Sequence, residues 1–568
     1  MKKILLRLMF LAMLVALLPV HVAQACSAFI VGKDLTADGS TLFGRTEDYP
    51  YAPDGGRHNQ NYVVVPAKTY KDGDKIEDES NGFTYPHLAN EMKYTAVYDS
   101  DRDNGSNGNF AAHGFNELGV AMTATVSATP NDKVLKQDPL VEDGLAEAAM
   151  VDLALPRSKT AREVIENVAK VIEEKGSAEG NIIVAADKNE LWYMEILSGH
   201  QYVAIKFPTN KYAVFANTYY LGHVDLNDKE NVIASKDVEE VAKKADNYKT
   251  DKDGNFMIAK SYGPDKYMER NRSRTYAGIK WMDPQAKVNY DDEAFDLLRE
   301  PTDPNKKYTV HDVIAEQRDR FETLPQYKAD DLVEVGKKID GNVYKYALGN
   351  ENVIDAHVYQ IKPNLPNAFG GVMWLGLAQS RNTPYVPFYG NVEDTYEAFK
   401  NRSTKYDGKS WYWTVWHIDQ MVMKYPEIFG NSIQEKWKAK EAEWDKEQTE
   451  RDAKYANYTD EQAKAAGPEV TKEALERSEK IFKEIKAVEA EMEEKIKKEK
   501  GKDADLVYTG YNKANLLAEA EKGKSADKAS DTKKDSSSQT TWIVIGVLVV
   551  LVGGFFGYKQ FNKKKEEE

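Results

Sequence analysis

The chain of 568 residues holds one cysteine, Cys26. A single thiol excludes an intramolecular disulfide framework and every multi-cysteine zinc or iron–sulfur site. Basic charge is also short: 77 Lys and Arg stand against 92 Asp and Glu, a net charge of −15. With no basic excess to displace counterions from phosphates, the composition argues against nucleic acid as a partner. Histidine is scarce, at nine residues, and shows no H-E-x-x-H spacing. No metal or organic cofactor is therefore expected, and His113 and His357 read as structural. What the chain has in quantity is core material. It is 41% hydrophobic and 11% aromatic, with 33 Tyr, a composition that folds rather than stays disordered.

Long apolar runs occur only near the two ends. Lys2, Lys3 and Arg7 precede an apolar stretch from Leu8 to Val20, followed by Ala23-Gln24-Ala25. This order of charge, apolar run and A-x-A site predicts a signal peptide over 1–25. Cleavage after Ala25 would make Cys26 the first residue. Near the other end, Trp542 to Tyr558 carries no charge, has an aromatic at each end, and precedes Lys559 and Lys563–Lys565. It predicts a transmembrane anchor over 542–558 with a cytoplasmic tail at 559–568. The expected localisation is the cell membrane, single-pass, with the main domain outside.

Between these ends, residues 26–430 read as one globular region. Strand-like runs recur at Ser27–Val31, Tyr62–Val65, Val120–Val126, Asn181–Ala185, Leu191–Ile196, Tyr202–Ile205 and Tyr212–Phe215. Leu145–Leu155 and Ala161–Glu174 have helical apolar spacing, with Thr160 and Glu163 forming a candidate capping box. This is an α+β pattern with largely antiparallel sheets. From 431 to 520 Lys, Glu and Ala dominate. Leu475, Phe482, Ile485, Val488, Met492 and Ile496 keep a helical period, and Gly467-Pro468 breaks the region into two helical parts. The region reads as a helical arm, and 521–541 as a flexible linker.

The sole cysteine sits where signal cleavage would expose it. One explanation is lipidation, although such sites usually carry Leu three residues earlier, where this chain has Ala23. The other is an N-terminal nucleophile. A free α-amino group has a pKa of about 8 and can take the thiol proton, so one residue supplies both nucleophile and base. The segment from Cys26 to Asp48 reads as a hairpin that returns Arg45 and Asp48 to the cysteine. Arg45 would favour the thiolate, and Asp48 would hold the α-amino group. Taken alone, two such residues are more often an ordinary surface ion pair.

The segment Cys26-Ser27-Ala28-Phe29-Ile30-Val31-Gly32-Lys33-Asp34, followed by Asp38-Gly39-Ser40 and Arg45-x-x-Asp48, resembles the opening of the dipeptidase A (PepD-type) cysteine peptidases. These are N-terminal-nucleophile hydrolases. The resemblance continues through His113–Met122, Glu179-Gly180-Asn181, Trp192–Glu195, Ala216-Asn217, Arg274–Gly278, Asn352–Pro363 and Trp374–Tyr389. It implies a four-layer αββα sandwich and hydrolysis of dipeptides or short peptides. Cys26 would be the nucleophile, with Arg45 and Asp48 its neighbours. Asn217 would offer an oxyanion N–H, and Arg274, with Arg272 two residues away, would complete the pocket. Tyr276 stands where the family commonly has Trp, and Thr123–Ser127 is less acidic than its counterpart. Amidase or acylase activity on non-peptide amides is a second reading, and a non-catalytic surface lipoprotein or adhesin a third. A homo-oligomer stays open.

Overall fold

In a computed structural model of the chain, the described residues are 26–49, 59–100, 107–124, 126–292, 294–322, 337–339, 342–344 and 347–509. The segments expected as signal peptide, linker, membrane anchor and tail lie outside them. Among the described residues no helix is long and apolar enough to cross a membrane.

Two large sheets dominate. The first has six strands in the order Tyr212–Phe215, Ser27–Val31, Thr41–Asp48, Val353–Ile361, Val372–Leu377 and Val386–Tyr389. The second has eight, in the order Val232–Ala234, Tyr202–Lys206, Leu191–Ile196, Asn181–Ala186, Ala121–Ala124, Asn107–Phe115, Tyr94–Ser100 and Asn59–Val65. Every neighbouring pair in both is antiparallel. Side chains on a strand alternate between faces, and the core follows that alternation. Ile182 and Val184 join the cluster containing Phe29 and Phe215 of the other sheet. Ile183 and Ala185 join a separate cluster with Val164, Ile165, Val168 and Ile172. The two sheets therefore face each other, and helices Glu147–Ala154 and Ala161–Lys175 cover the outer face of the second. Helices Glu269–Met282 and Val310–Gln317 pack on the first.

Local chemistry explains the element ends. Thr160 caps Ala161–Lys175 by accepting from the Glu163 N–H. The expected capping box is shifted by one residue, because the Glu163 carboxylate takes the Lys159 N–H at 2.6 Å. Gly176, at φ +77°, ends that helix in a conformation costly for other residues. Gly278 has a packing reason: a Cβ there would meet Val214 Cγ1 at 2.5 Å. Its absence lets helix Glu269–Met282 lie close on strand Tyr212–Phe215, which sets the depth of Arg274.

The Lys/Glu-rich region forms helices Ser432–Tyr455, Asp460–Ala465 and Gly467–Lys500. Phe482, Ile485, Val488, Met492 and Ile496 are buried, as are Trp437 and Trp444, and all belong to the main core. Leu475 stays half-buried. Helix Trp411–Lys424 is the contact for the last helix, with Trp411 stacked on Phe482 at 5.6 Å. A buried ion pair ties helix Ser432–Tyr455 to the sheets' helical cover. Arg318 donates to Glu441 Oε1 at 2.6 Å and Oε2 at 2.9 Å, and also to the Thr383 carbonyl. Glu441 also takes the Tyr385 N–H. Glu441→Ala would leave the Arg318 charge buried without its partner, so it is expected to cost about 3–5 kcal/mol. The double change Arg318→Met with Glu441→Leu is expected to cost less than Glu441→Ala alone. Denaturant unfolding of the three proteins checks both expectations.

Candidate active site

Cys26 lies immediately before strand Ser27–Val31 and is fully buried. Its neighbours follow from register. Ser27 pairs with Thr46 on one side and Ala28 with Phe215 on the other. Extended by one and two residues, these ladders set Cys26 opposite Glu47 and Asn217. Arg45 pairs with Ala28, so its side chain leaves the sheet on the same face as that of Cys26. Arg45 Nη1 donates to the Cys26 sulfur at 3.3 Å.

The Arg45 guanidinium is held on all sides. Nη2 donates to Glu47 Oε2 at 2.9 Å and to the Ala124 carbonyl at 2.8 Å. Nε donates to Thr123 Oγ1 at 3.0 Å, across the space between the sheets. From Thr123 a chain of buried groups continues. The Thr123 hydroxyl donates to His357 Nε2 at 2.9 Å. His357 Nδ1 and His113 Nε2 both donate to Asp355 Oδ2, at 3.2 and 3.0 Å. The Tyr359 hydroxyl donates to His113 Nδ1 at 2.7 Å. These proton positions are assigned because they let each group donate and accept consistently. Burial holds both imidazoles below their ordinary range, His357 down to about 3. Against burial, the two histidines keep Asp355 ionised well below the usual carboxylate range. His113, Asp355 and His357 are also close enough to share a metal ion.

Arg274 reaches Cys26 from the helix on the outer face. Nη1 donates to the Cys26 carbonyl and to Ser27 Oγ. Nη2 donates to Asn217 Oδ1 at 2.8 Å and to Asn271 Oδ1 at 3.0 Å. Asn271 also donates to the Asn217 carbonyl at 2.6 Å. With its oxygen taken by Arg274, Asn217 is left with an Nδ2 donor that is buried and meets no acceptor. Arg272 turns elsewhere, donating to the Tyr290 and Asp292 carbonyls, so of the two Arg274 is the one that reaches the Cys26 backbone. Asp48 is buried and accepts from Asn350 Nδ2 at 2.6 Å.

Burial pushes the Cys26 thiol up to about 12. The Arg45 charge opposes the shift, the Glu47 and Asp48 charges add to it, and the Asp48 backbone N–H opposes it. With the chain continuing upstream of Cys26, its nitrogen is an amide and cannot serve as a base, so this thiol stays protonated at neutral pH.

The structure thus brings Cys26, Arg45, Asp48, Asn217 and Arg274 to one place. Glu47, Thr123, Asn271, His113, Asp355 and His357 complete the surroundings. Two of these had a signal in the sequence. Glu47 shares a strand face with Arg45 at a spacing of two, and Asn271 shares a helix face with Arg274 at a spacing of three. Thr123 and the His–Asp–His group had none, since only sheet packing joins them to Arg45.

Two facing antiparallel sheets under helices, with one thiol at an end of the space between them, define an α+β hydrolase architecture consistent with the N-terminal-nucleophile superfamily. The model of Peptidase family C69 matches residues 25–478. The chain belongs to that family and is a peptidase, which weighs against the adhesin alternative. It is 48% identical over 486 residues to "Probable dipeptidase B" of Streptococcus pyogenes serotype M1, covering 84% of this chain and 95% of that protein. It is 32% identical over 393 residues to "Probable dipeptidase" of Latilactobacillus sakei, covering 69% and 79%. A "Probable dipeptidase" of Salmonella dublin is 28% identical over 388 residues, covering 67% and 84%.

Thr123→Val removes the hydroxyl that joins His357 to Arg45. Peptidase kcat is expected to fall about tenfold with KM little changed, whereas Thr123→Ser stays within about twofold of the parent. Steady-state kinetics of the two variants on one peptide checks this.

Proposed function

We propose that this protein hydrolyses dipeptides or short peptides at the outer cell surface, with Cys26 as an N-terminal nucleophile. The observation that carries the reading is the pairing at the thiol. Arg45 sits against the sulfur at 3.3 Å, while Arg274 holds Asn217 by its oxygen and leaves a buried amide donor unused. A buried donor without an acceptor is costly, and a developing oxyanion would satisfy it.

Signal cleavage after Ala25 frees the Cys26 α-amine. The amine takes the thiol proton, and the thiolate attacks the peptide carbonyl carbon, helped by the Arg45 charge. The carbonyl electrons move to oxygen, which Asn217 Nδ2 receives. Asp48 holds the α-ammonium, and Arg274 keeps Asn217 and the Cys26 backbone in place. The oxyanion collapses, the C–N bond breaks, and the leaving amine takes the proton from the α-ammonium. Water then attacks the thioester with the α-amine as base, which releases the acid and restores the thiol. The apolar segment 542–558 tethers the peptidase to the membrane. The dipeptidase names of the relatives support the substrate class.

Mass spectrometry of the protein isolated from cells is expected to find Cys26 first. Protein beginning at Cys26 should hydrolyse alanyl-alanine, and protein with one extra residue before Cys26 should not. Equal activity of the two would remove the α-amine from the mechanism. Asn217→Ala is expected to lower kcat about 100- to 1,000-fold, while the rate at which iodoacetamide alkylates Cys26 changes little.

A further inference from the structure

Side-chain alternation sorts the groups around the thiol by sheet face. On the six-stranded sheet Arg45 pairs with His357 and Glu47 with Asp355. Arg45 bonds Thr123 of the other sheet, so Arg45 and Glu47 both face the space between the sheets. On the eight-stranded sheet Gln60 pairs with Asp99, and Tyr62 with Val97. Tyr62 and Val97 belong to the core between the sheets, and Gln60 and Asp99, two residues along each strand, face the same way. Glu47 and Gln60 are 1% exposed and Asp99 6%. Gln60 Nε2 donates to Asp99 Oδ1. This commits the Gln60 amide and leaves its Oε1 a buried acceptor that meets no donor. Glu47 gives Oε2 to Arg45, and its Oε1 also meets no donor.

We propose that Glu47, with Gln60 and Asp99, is the subsite for the protonated α-amino group of the substrate, which confines hydrolysis to peptides with a free N-terminus. The inference rests on Cys26 being the nucleophile. An ammonium offers three N–H donors and no acceptor, while Glu47 and Gln60 each hold a buried acceptor that meets no donor, and Glu47 is near enough for its charge to act on Asp99, the partner of Gln60. Distance selects the α-amine over a basic side chain. In an unblocked dipeptide the ammonium nitrogen is two bonds from the attacked carbon. Arg45 spans the thiol and Glu47, with 3.3 Å to the sulfur and 2.9 Å to the carboxylate, so Glu47 lies one guanidinium away from the reacting centre. A lysine or arginine side chain would carry its cation several bonds further out. Burial pushes Glu47 up to about 8 despite Arg45, and pushes Asp99 well above its ordinary value. A cation seated beside them would restore their charge.

The test uses protein beginning at Cys26 and three substrates: alanyl-alanine, its N-acetyl form, and propionyl-alanine, which lacks only the amine. The expected kcat/KM for the two amine-free compounds is lower by about 100-fold or more. Glu47→Gln and Asp99→Asn are each expected to shrink that ratio by about tenfold, mainly through a higher KM for alanyl-alanine. Asp99 sits on the other sheet from Arg45 and Glu47, so Asp99→Asn keeps the test open if Glu47→Gln disturbs the guanidinium. Comparable kcat/KM on all three substrates, with alanyl-alanine hydrolysed, would overturn the subsite and leave the nucleophile standing. So would a preference for lysine or arginine at the first residue that survives N-acetylation. Hydrolysis of none of the three, with Cys26 still alkylated by iodoacetamide, would overturn the nucleophile reading and the subsite together.

Discussion

The contact between the Arg45 guanidinium and the Cys26 thiol is the interaction on which the site depends. A buried charge needs compensation from every side, and Arg45 finds it in Glu47, two strand carbonyls and the Thr123 hydroxyl. Thr123 belongs to the second sheet, so the guanidinium works as a rivet between the sheets as well as a neighbour of the thiol. The two histidines and Asp355 extend the rivet inward, and their stacked rings, 3.6 Å apart, leave little freedom for the groups ahead of them. The position of the positive charge beside the sulfur is thus a property of how the two sheets pack.

The second arginine acts from the opposite layer. Arg274 rides on a helix that can approach the first sheet because position 278 has no side chain. It touches the backbone of Cys26 and fixes the orientation of the Asn217 amide. Two guanidiniums from two layers therefore brace a single residue at the start of a strand. Burial holds the Cys26 thiol up to about 12, against the pull of the Arg45 charge.

Much of the site was legible along the chain. Cys26 and the hairpin returning Arg45 and Asp48 are local features that local pattern reports, whereas Asn217 and Arg274 were named only through the family resemblance. Arg45-x-x-Asp48 needed correction in one respect. On a strand a spacing of three places two side chains on opposite faces, so the partner of Arg45 between the sheets is Glu47, not Asp48. Arg272 and Arg274 could not be told apart by spacing, and only the helix's rotation on the sheet assigns one to Cys26 and the other to the Tyr290 and Asp292 carbonyls. The Lys/Glu-rich helices read as an arm by composition, and their sparse tryptophans and aliphatics line a stripe that is buried in the main core.

The sequence by itself determined the nucleophile candidate, because one cysteine leaves no choice. It also determined the strands of the central hairpin and the α+β character, because apolar periodicity is a short-range property. Tertiary structure alone decided what surrounds the thiol. Residues 45, 123, 217, 274 and 357 lie far apart along the chain, and they meet only where two sheets and a helix close on one another. The orphaned donor of Asn217 and the orphaned acceptors of Glu47 and Gln60 arise from that closure. An unsatisfied group is defined by what fails to reach it, and no single stretch of sequence carries that information.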